Sequence, residues 1–294
     1  MQKKLLMIVN PSAGRSKSRG PLFDAASIFS KAGYLISIYN TSCSGDAAET
    51  AAREGEHYDV LVAVGGDGTL NEVVSGVLRL EHPPLLGYLA QGSTNDFASS
   101  LHISKNPVTA ASVIAKNNPR LLDIGLWNDR HFVYVASFGA FTRSSYTAPQ
   151  AAKNALGHFA YILEGMKDLN SLRPYKVKIT ADGEVLDGEY LFGAVCNSTS
   201  IGGLMKLDPE RVVLDDGKFE MLLIPNPKTA QDLQNLVLAL LEQRYDREGL
   251  VFRHVSSIRV ETEQDIPWSL DGEFAASSPV VDIVNRQRSL TMLL

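Results

Sequence analysis

The chain of 294 residues has only two cysteines, Cys43 and Cys196, far apart and outside any CxxC pair. That excludes a disulfide framework and a cysteine-based zinc site. Its six histidines form no HxxxH pair, which removes the helical zinc-hydrolase pattern as well. Positive charge is scarce: 28 Lys and Arg stand against 33 Asp and Glu, for a net charge of -5. Without a global basic field, sequence-independent binding to nucleic acid is disfavoured, and no nucleic-acid partner is expected. No apolar run reaches the roughly 18 residues that a membrane span needs. The opening "MQKKLLMIVNPSAG" meets a turn too early for a secretory signal, so a cytoplasmic protein is expected. What remains is an ordinary globular composition, 45% apolar and 21% charged, with length enough for two cores.

The first third alternates short apolar runs with helical patterns. "KLLMIVN" is followed by a helical stretch from Ser18 to Ala32, then "YLISIY", "DAAETAARE", "DVLVAVG", "TLNEVVSGVL" and "PLLGYLA". This βαβαβαβ order predicts an α/β domain with a doubly wound parallel sheet, covered on both faces, whose ligands lie at the carboxyl ends of its strands. Asp46 and Glu49 have the spacing of a capping box at a helix start. After "LLDIG" the runs lengthen to "HFVYVASFG", "YKVKITADGEVLDGEYLFGAVCNST", "KFEMLLIPN" and "FRHVSSIRVETE". These predict a mainly antiparallel β domain, with a hairpin turning at "ADGE" and a hinge near Asp123 to Trp127. Leu233, Leu236, Val237, Leu240 and Leu241 fall at helical spacing in one apolar stripe, read as core packing rather than lipid insertion because the polar face lacks a Lys/Arg row.

The most informative stretch is "DVLVAVGGDGTLNEVVSGVL", a buried strand that turns on glycines into a helix. Glycines let the backbone approach a ligand, and the helix start near Thr69 offers free N–H groups and the positive dipole end. This is an anion site, yet it has neither the GxxxxGK[ST] spacing of a P-loop nor the third glycine of GxGxxG. Asp67, between Gly66 and Gly68, would repel a phosphate unless a divalent ion stood between them. Mg²⁺ takes carboxylate, water and phosphate oxygens together, which gives the acid a purpose. The competing reading is a glycine turn with an incidental Asp.

"VNPSAG", "GGDGTLNEV", "GSTNDFA" and "SLDGE", in this order and spacing over nearly the whole chain, resemble the diacylglycerol kinase catalytic family, and in particular its bacterial soluble lipid kinases, related to sphingosine and ceramide kinases. "GGDGT" alone would be shared with the NAD kinases. The resemblance implies that Asn10, Pro11, Ser12, Ala13, Gly14, Thr41, Gly66, Asp67, Gly68, Thr69, Leu70, Asn71, Glu72 and Ser93 surround ATP. It implies that Asp96 and Asp123 join Asp67 in a water and Mg²⁺ network. The family more often has Thr where Ser93 stands, and commonly Arg where this chain has Ser99 and Ser100. Arg15, Lys17 and Arg19 could make good that missing positive charge.

In "VVLDDGKFEM" the "DDG" turn offers carboxylates and carbonyls suited to a hard cation. The resemblance implies a structural Mg²⁺ there, on the carbonyls of Val213 and Lys218 and the side chain of Asp216. In "SLDGE", two acids flank a glycine, and phosphoryl transfer to an alcohol needs a group that accepts the hydroxyl proton. The family pattern implies Glu273 as that base, with Asp271 as helper or alternative. The expected protein is therefore an ATP- and Mg²⁺-dependent lipid kinase acting on a lipid with a free hydroxyl, diacylglycerol or a relative, in transient peripheral contact with the membrane surface. A homodimer is left open. The expected domains are 1–124, with residues about 285–294 returning to it, and 125–284. Two rivals stand beside this reading: a soluble-substrate kinase of the NAD-kinase type, and a nucleotide-binding regulator that has lost phosphotransfer.

Overall fold

The computed structural model describes residues 2–13, 19–92, 95–139, 173–201, 205–207, 212–242, 244–245 and 249–294. The chain divides into two units, Met1–Ile124 with Arg288–Leu294, and Gly125–Gln287.

In the first unit the order is β1 (Lys4–Val9), α1 (Arg19–Lys31), β2 (Leu35–Asn40), α2 (Asp46–Glu54), β3 (Val60–Gly65), α3 (Asp67–Val77), β4 (Leu85–Ala90), α4 (Asp96–Ser100) and α5 (Pro107–Ala115). Strands β2, β1, β3 and β4 lie side by side in that order, all parallel. Every residue of β3 is buried, as expected of a strand covered on both faces. Leu5, Met7, Val60, Val62 and Val64 share one core with Ala25 and Phe29 of α1 and Ala110, Ala111 and Ile114 of α5. Leu6, Ile8, Leu61 and Ala63 point the other way and are as deeply buried, on the face that α2 and α3 cover. Helix α5 lay outside the sequence expectation, although its start is legible in retrospect. Asn106 caps it by accepting from the N–H groups of Val108 and Thr109, and Pro107 follows at the first helical position.

Strand β5 (Pro119–Trp127) contains the boundary between the units, so the stretch expected as a hinge is extended strand. The second unit continues with β6 (Arg130–Phe132), β7 (Val135–Gly139), β8 (Tyr175–Ala181), β9 (Glu184–Cys196), the two-residue pair β10 (Ser200–Ile201) and β11 (Met205–Lys206), and β12 (Phe219–Pro225). It ends with α6 (Ala230–Leu241), β13 (Val251–Val255), β14 (Ser257–Glu261), β15 (Trp268–Leu270), β16 (Glu273–Ala275) and β17 (Val280–Leu293), whose Met292 pairs with Leu86 in the first unit's sheet. Pairing within the second unit is antiparallel. The β8–β9 hairpin turns on Asp182 and Gly183, both at positive φ, the conformation a two-residue turn of this hand requires. Strand β9 does two jobs. Its first half pairs with β8 and alternates in exposure; its second half is buried throughout and pairs with β7 and with β12. Trp268 anchors the core, with ring centroids 5.9 Å from Trp127 and 5.0 Å from Phe138. Leu236, Val237 and Leu240 of the α6 stripe are buried, while the Leu241 side chain lies outside the described residues.

Among the described residues this unit buries two acids, Asp271 and Glu220. Glu220 on β12 pairs with Cys196 on β9 and His254 on β13, and only 2% of it is exposed. Its Oε2 is sealed and has no hydrogen-bond partner, and His254 Nε2 lies 3.8 Å from Oε1, beyond hydrogen-bond reach. Burial, with the charge of Asp216 adding to it, pushes the Glu220 pKa up to about 8. A folded value above the unfolded one means that stability from this group is complete below about pH 4 and falls as pH rises toward 8. Thermal melts of Glu220→Gln across pH 5 to 9 should therefore show a flatter profile than wild type and greater stability above about pH 8. Parallel profiles would disprove the neutral buried acid.

Candidate active site

The end of β3 meets α3 at Gly66, which is extended and donates no side-chain cap, so the first turn of α3 presents backbone N–H groups with Asp67 as its first residue. Neighbouring strand ends are tied to this turn. Asn10 Nδ2 donates to Thr69 Oγ1 at 3.1 Å, while Asn10 Oδ1 accepts from Ser12 N–H at 2.9 Å and fixes the Pro11–Ser12–Ala13 turn. Thr41 is held by its N–H and hydroxyl on the Val9 carbonyl. Beneath the turn, the Tyr88 hydroxyl and Gln91 N–H both donate to the Gly65 carbonyl. The expected nucleotide contacts Asn10 to Ala13, Thr41 and Gly66 to Asn71 thus lie at strand ends β1, β2 and β3, within one unit. Leu70 is in the core, so only its backbone can face a ligand. Gly14, Ser93, Arg15, Lys17 and the Arg19 side chain lie outside the described residues.

Glu72, expected among the nucleotide contacts, is bonded to the start of α2. Its Oε1 accepts from Gly45 N–H at 2.8 Å and Ser44 Oγ at 3.3 Å, and its Oε2 from Ala47 N–H at 3.2 Å. A carboxylate from α3 therefore caps α2. The Asp46–Glu49 capping box is not formed, because Asp46 turns back to accept from Ser42 N–H, Ser42 Oγ and Tyr39 Oη. Those bonds, the Ser42 N–H first, hold the Asp46 carboxyl below the usual range.

Of the acids expected to share a metal, Asp67 and Asp96 each open a helix, and Asp96 is buried. Asp123 is fully buried and its Oδ1 accepts from Arg288 N–H at 2.7 Å, fastening β5 to the last turn of chain within this unit. Among the described residues no three His, Cys, Asp or Glu side chains converge closely enough to ligate one ion directly. An all-protein cage of the three acids is therefore not the arrangement. One or two carboxylates beside a phosphate cradle do fit Mg²⁺, which keeps several waters and takes its other ligands from the nucleotide.

In the second unit "SLDGE" is a two-residue hairpin. Leu270 pairs with Glu273 across Asp271 and Gly272, both at positive φ. The Asp271 carboxylate is buried: Oδ2 accepts from Val133 N–H at 2.6 Å, and Oδ1 from Tyr134 and Val135 N–H at 2.9 and 3.0 Å. These bonds explain why "HFVYVASFG" splits into β6 and β7, since a carboxylate replaces a strand as acceptor where they part. Glu273 begins β16 and is exposed. Of the expected cation turn, Val213 is exposed and Asp216 Oδ1 accepts from Lys218 N–H at 2.9 Å, with Gly217 at positive φ between them. Carbonyls and a carboxylate at such a turn are hard oxygen donors of the kind Mg²⁺ and Ca²⁺ take.

Residues 4–127 match the model of the diacylglycerol kinase catalytic domain, and residues 135–292 that of the YegS C-terminal NAD kinase beta sandwich-like domain. A diacylglycerol kinase of Bacillus subtilis (strain 168) is 34% identical over 99% of this chain and 96% of its own length. One of Staphylococcus aureus (strain MRSA252) is 34% identical over 99% of this chain and 92% of its own. The crystal structure of a proposed diacylglycerol kinase from Bacillus anthracis str. Sterne superimposes with a TM-score of 0.84 at 26% identity, covering 99% of this chain and 95% of that one. Fold, turns and relatives together define a kinase built from a nucleotide-type α/β domain and a β-sandwich-like domain. The chain belongs to the diacylglycerol kinase family.

Three buried N–H groups depend on Asp271, and leaving them without an acceptor costs about 1–3 kcal/mol each when nothing relaxes. Asp271→Ala should lower unfolding stability in a denaturant titration by about 3–5 kcal/mol, and Asp271→Asn, which keeps one carbonyl acceptor, by less. Equal and small losses for both would show that the carboxylate does not hold the hairpin.

Proposed function

We propose that this kinase transfers the γ-phosphate of ATP to the hydroxyl of a neutral lipid, diacylglycerol or a close relative. The observation that carries the reading is Asp67 as first residue of a helix that starts on a glycine at a strand end, in a chain related over its full length to diacylglycerol kinases. Backbone N–H groups of that turn would hold phosphate oxygens, and the Asn10–Thr69 bond keeps the first strand's turn beside them. Mg²⁺, when bound with the nucleotide, would neutralise phosphate charge; Asp67, Asp96 and Asp123 are the residues that would hold it, directly or through water. Glu273 accepts the proton of the acceptor hydroxyl. Asp271, committed to three N–H groups, serves by fixing the hairpin that presents Glu273. Because the acceptor resides in a bilayer, the enzyme works at the membrane surface.

The test is to incubate the protein with ATP, Mg²⁺ and a total lipid extract, and separately with NAD, and to identify the phosphorylated product by mass spectrometry. A phosphorylated glycerolipid is expected; phosphorylated NAD with no lipid product, or no product at all, overturns the reading. On the identified lipid, Glu273→Gln should reduce single-turnover rate by about 10²–10⁴-fold while ATP affinity stays near wild type. Retention of the wild-type rate moves the base elsewhere.

A structural cation on Val213, Asp216 and Lys218 belongs to the same proposal. Binding to the folded state alone raises the melting temperature, so Mg²⁺ without ATP should stabilise wild type and not Asp216→Ala. The same Mg²⁺ response in both would remove the site from this turn.

A further inference from the structure

We propose that Asn95 is a positioning residue for the nucleotide phosphates, acting through Gly92 on the turn that opens α3. The inference rests on the reading that ATP binds at that turn. Asn95 is buried and left-handed, with φ 55° and ψ 52°, a conformation that Asn tolerates better than most residues. Its side chain makes a two-point clamp on a single residue: Oδ1 accepts from Gly92 N–H at 2.8 Å, and Nδ2 donates to the Gly92 carbonyl at 2.8 Å. Both ends of the amide are thus engaged with backbone, so Asn95 acts on Gly92 rather than on a ligand.

Gly92 in turn abuts Gly66. A Cβ built on Gly92 would lie 2.6 Å from the Gly66 Cα, and one built on Gly66 would lie 3.2 Å from the Gly92 Cα. Neither glycine is there for a positive φ. They are there because two backbones touch, and the first of them is the cap residue of the helix whose N–H groups face the phosphates. Gln91 N–H bonds to the Gly65 carbonyl at 2.7 Å on the other side of the same contact, so the end of β4 is registered against the turn one residue away. The clamp from Asn95 then fixes where Gly92 ends and how close Gly66 can come. A donor contributes fully only at about 2.7–3.2 Å from its phosphate oxygen, a window of a few tenths of an ångström, and this contact sets where the donors stand.

Two substitutions separate positioning from general support. Asn95→Gly accepts the left-handed backbone and deletes both clamp bonds. Gly92→Ala puts a Cβ 2.6 Å from the Gly66 Cα and 2.7 Å from Asn95 Oδ1, so it forces the turns apart and strains the clamp with them. Titration of the full chain with ATP in Mg²⁺, followed calorimetrically, should give a Kd raised about tenfold or more in each, with thermal midpoints within about 4 °C of wild type. Asn95→Gly with a Kd within about twofold of wild type overturns the proposal. So does a large fall in thermal midpoint with normal ATP affinity in the folded protein, which would make the clamp a matter of stability alone. If wild type itself binds no ATP, the nucleotide reading fails first and this proposal falls with it.

Discussion

A backbone N–H that secondary structure leaves unpaired needs an acceptor, and in this protein carboxylates supply several, at buried, half-buried and exposed positions alike. Glu72 takes the two N–H groups at the start of α2, Asp123 takes Arg288 N–H, and Asp271 takes three in a row at Val133 to Val135. Asp182 does the same at the other Asp-Gly hairpin, accepting from Ser256 and Ser257; these bonds outweigh the burial that would raise its pKa and leave it below the usual range. Each such bond joins segments distant in sequence. They convert a set of short strands and tight turns into fixed geometry, because a charged acceptor on a buried donor is hard to give up.

The cap residue of α3 is Gly66, which has no side chain to offer, while the neighbouring α2, on the same side of the sheet, is capped by an acid from α3 itself. The glycines around that start serve closeness of backbone, and the side chains around it, Asn10, Thr69, Tyr88 and Asn95, bond to each other or to main chain. A rigid surround of this kind holds donors where charge develops and leaves little to rearrange during transfer.

The two Asp-Gly hairpins show how similar local sequences part company. "ADGE" at 181–184 and "LDGE" at 270–273 form the same left-handed two-residue turn, whereas the same "LDGE" at 186–189 stays extended inside β9. Local sequence says nothing of what each carboxylate reaches. Asp182 meets two serines where β13 gives way to β14, whereas Asp271 is drawn into the chain between β6 and β7. The reading of Asp271 as a helper in chemistry came from its place in the motif; its three N–H partners, more than 130 residues away, could be seen only in the fold.

The sequence by itself determined the βαβ order of the first unit, since strands covered on both faces are written as unbroken apolar runs, and the antiparallel character of the second, since half-covered strands alternate. It determined the strand-end motifs too, because glycine turns and helix starts are local. It did not reveal α5, whose Asn-Pro start is short and unaccompanied by a marked polar face. Which acids remain for chemistry, which are consumed by backbone donors, and that Glu220 is buried opposite Cys196 were decided by tertiary structure alone. Those outcomes depend on which distant N–H group or apolar wall a side chain meets, and that is a property of packing, not of spacing along the chain.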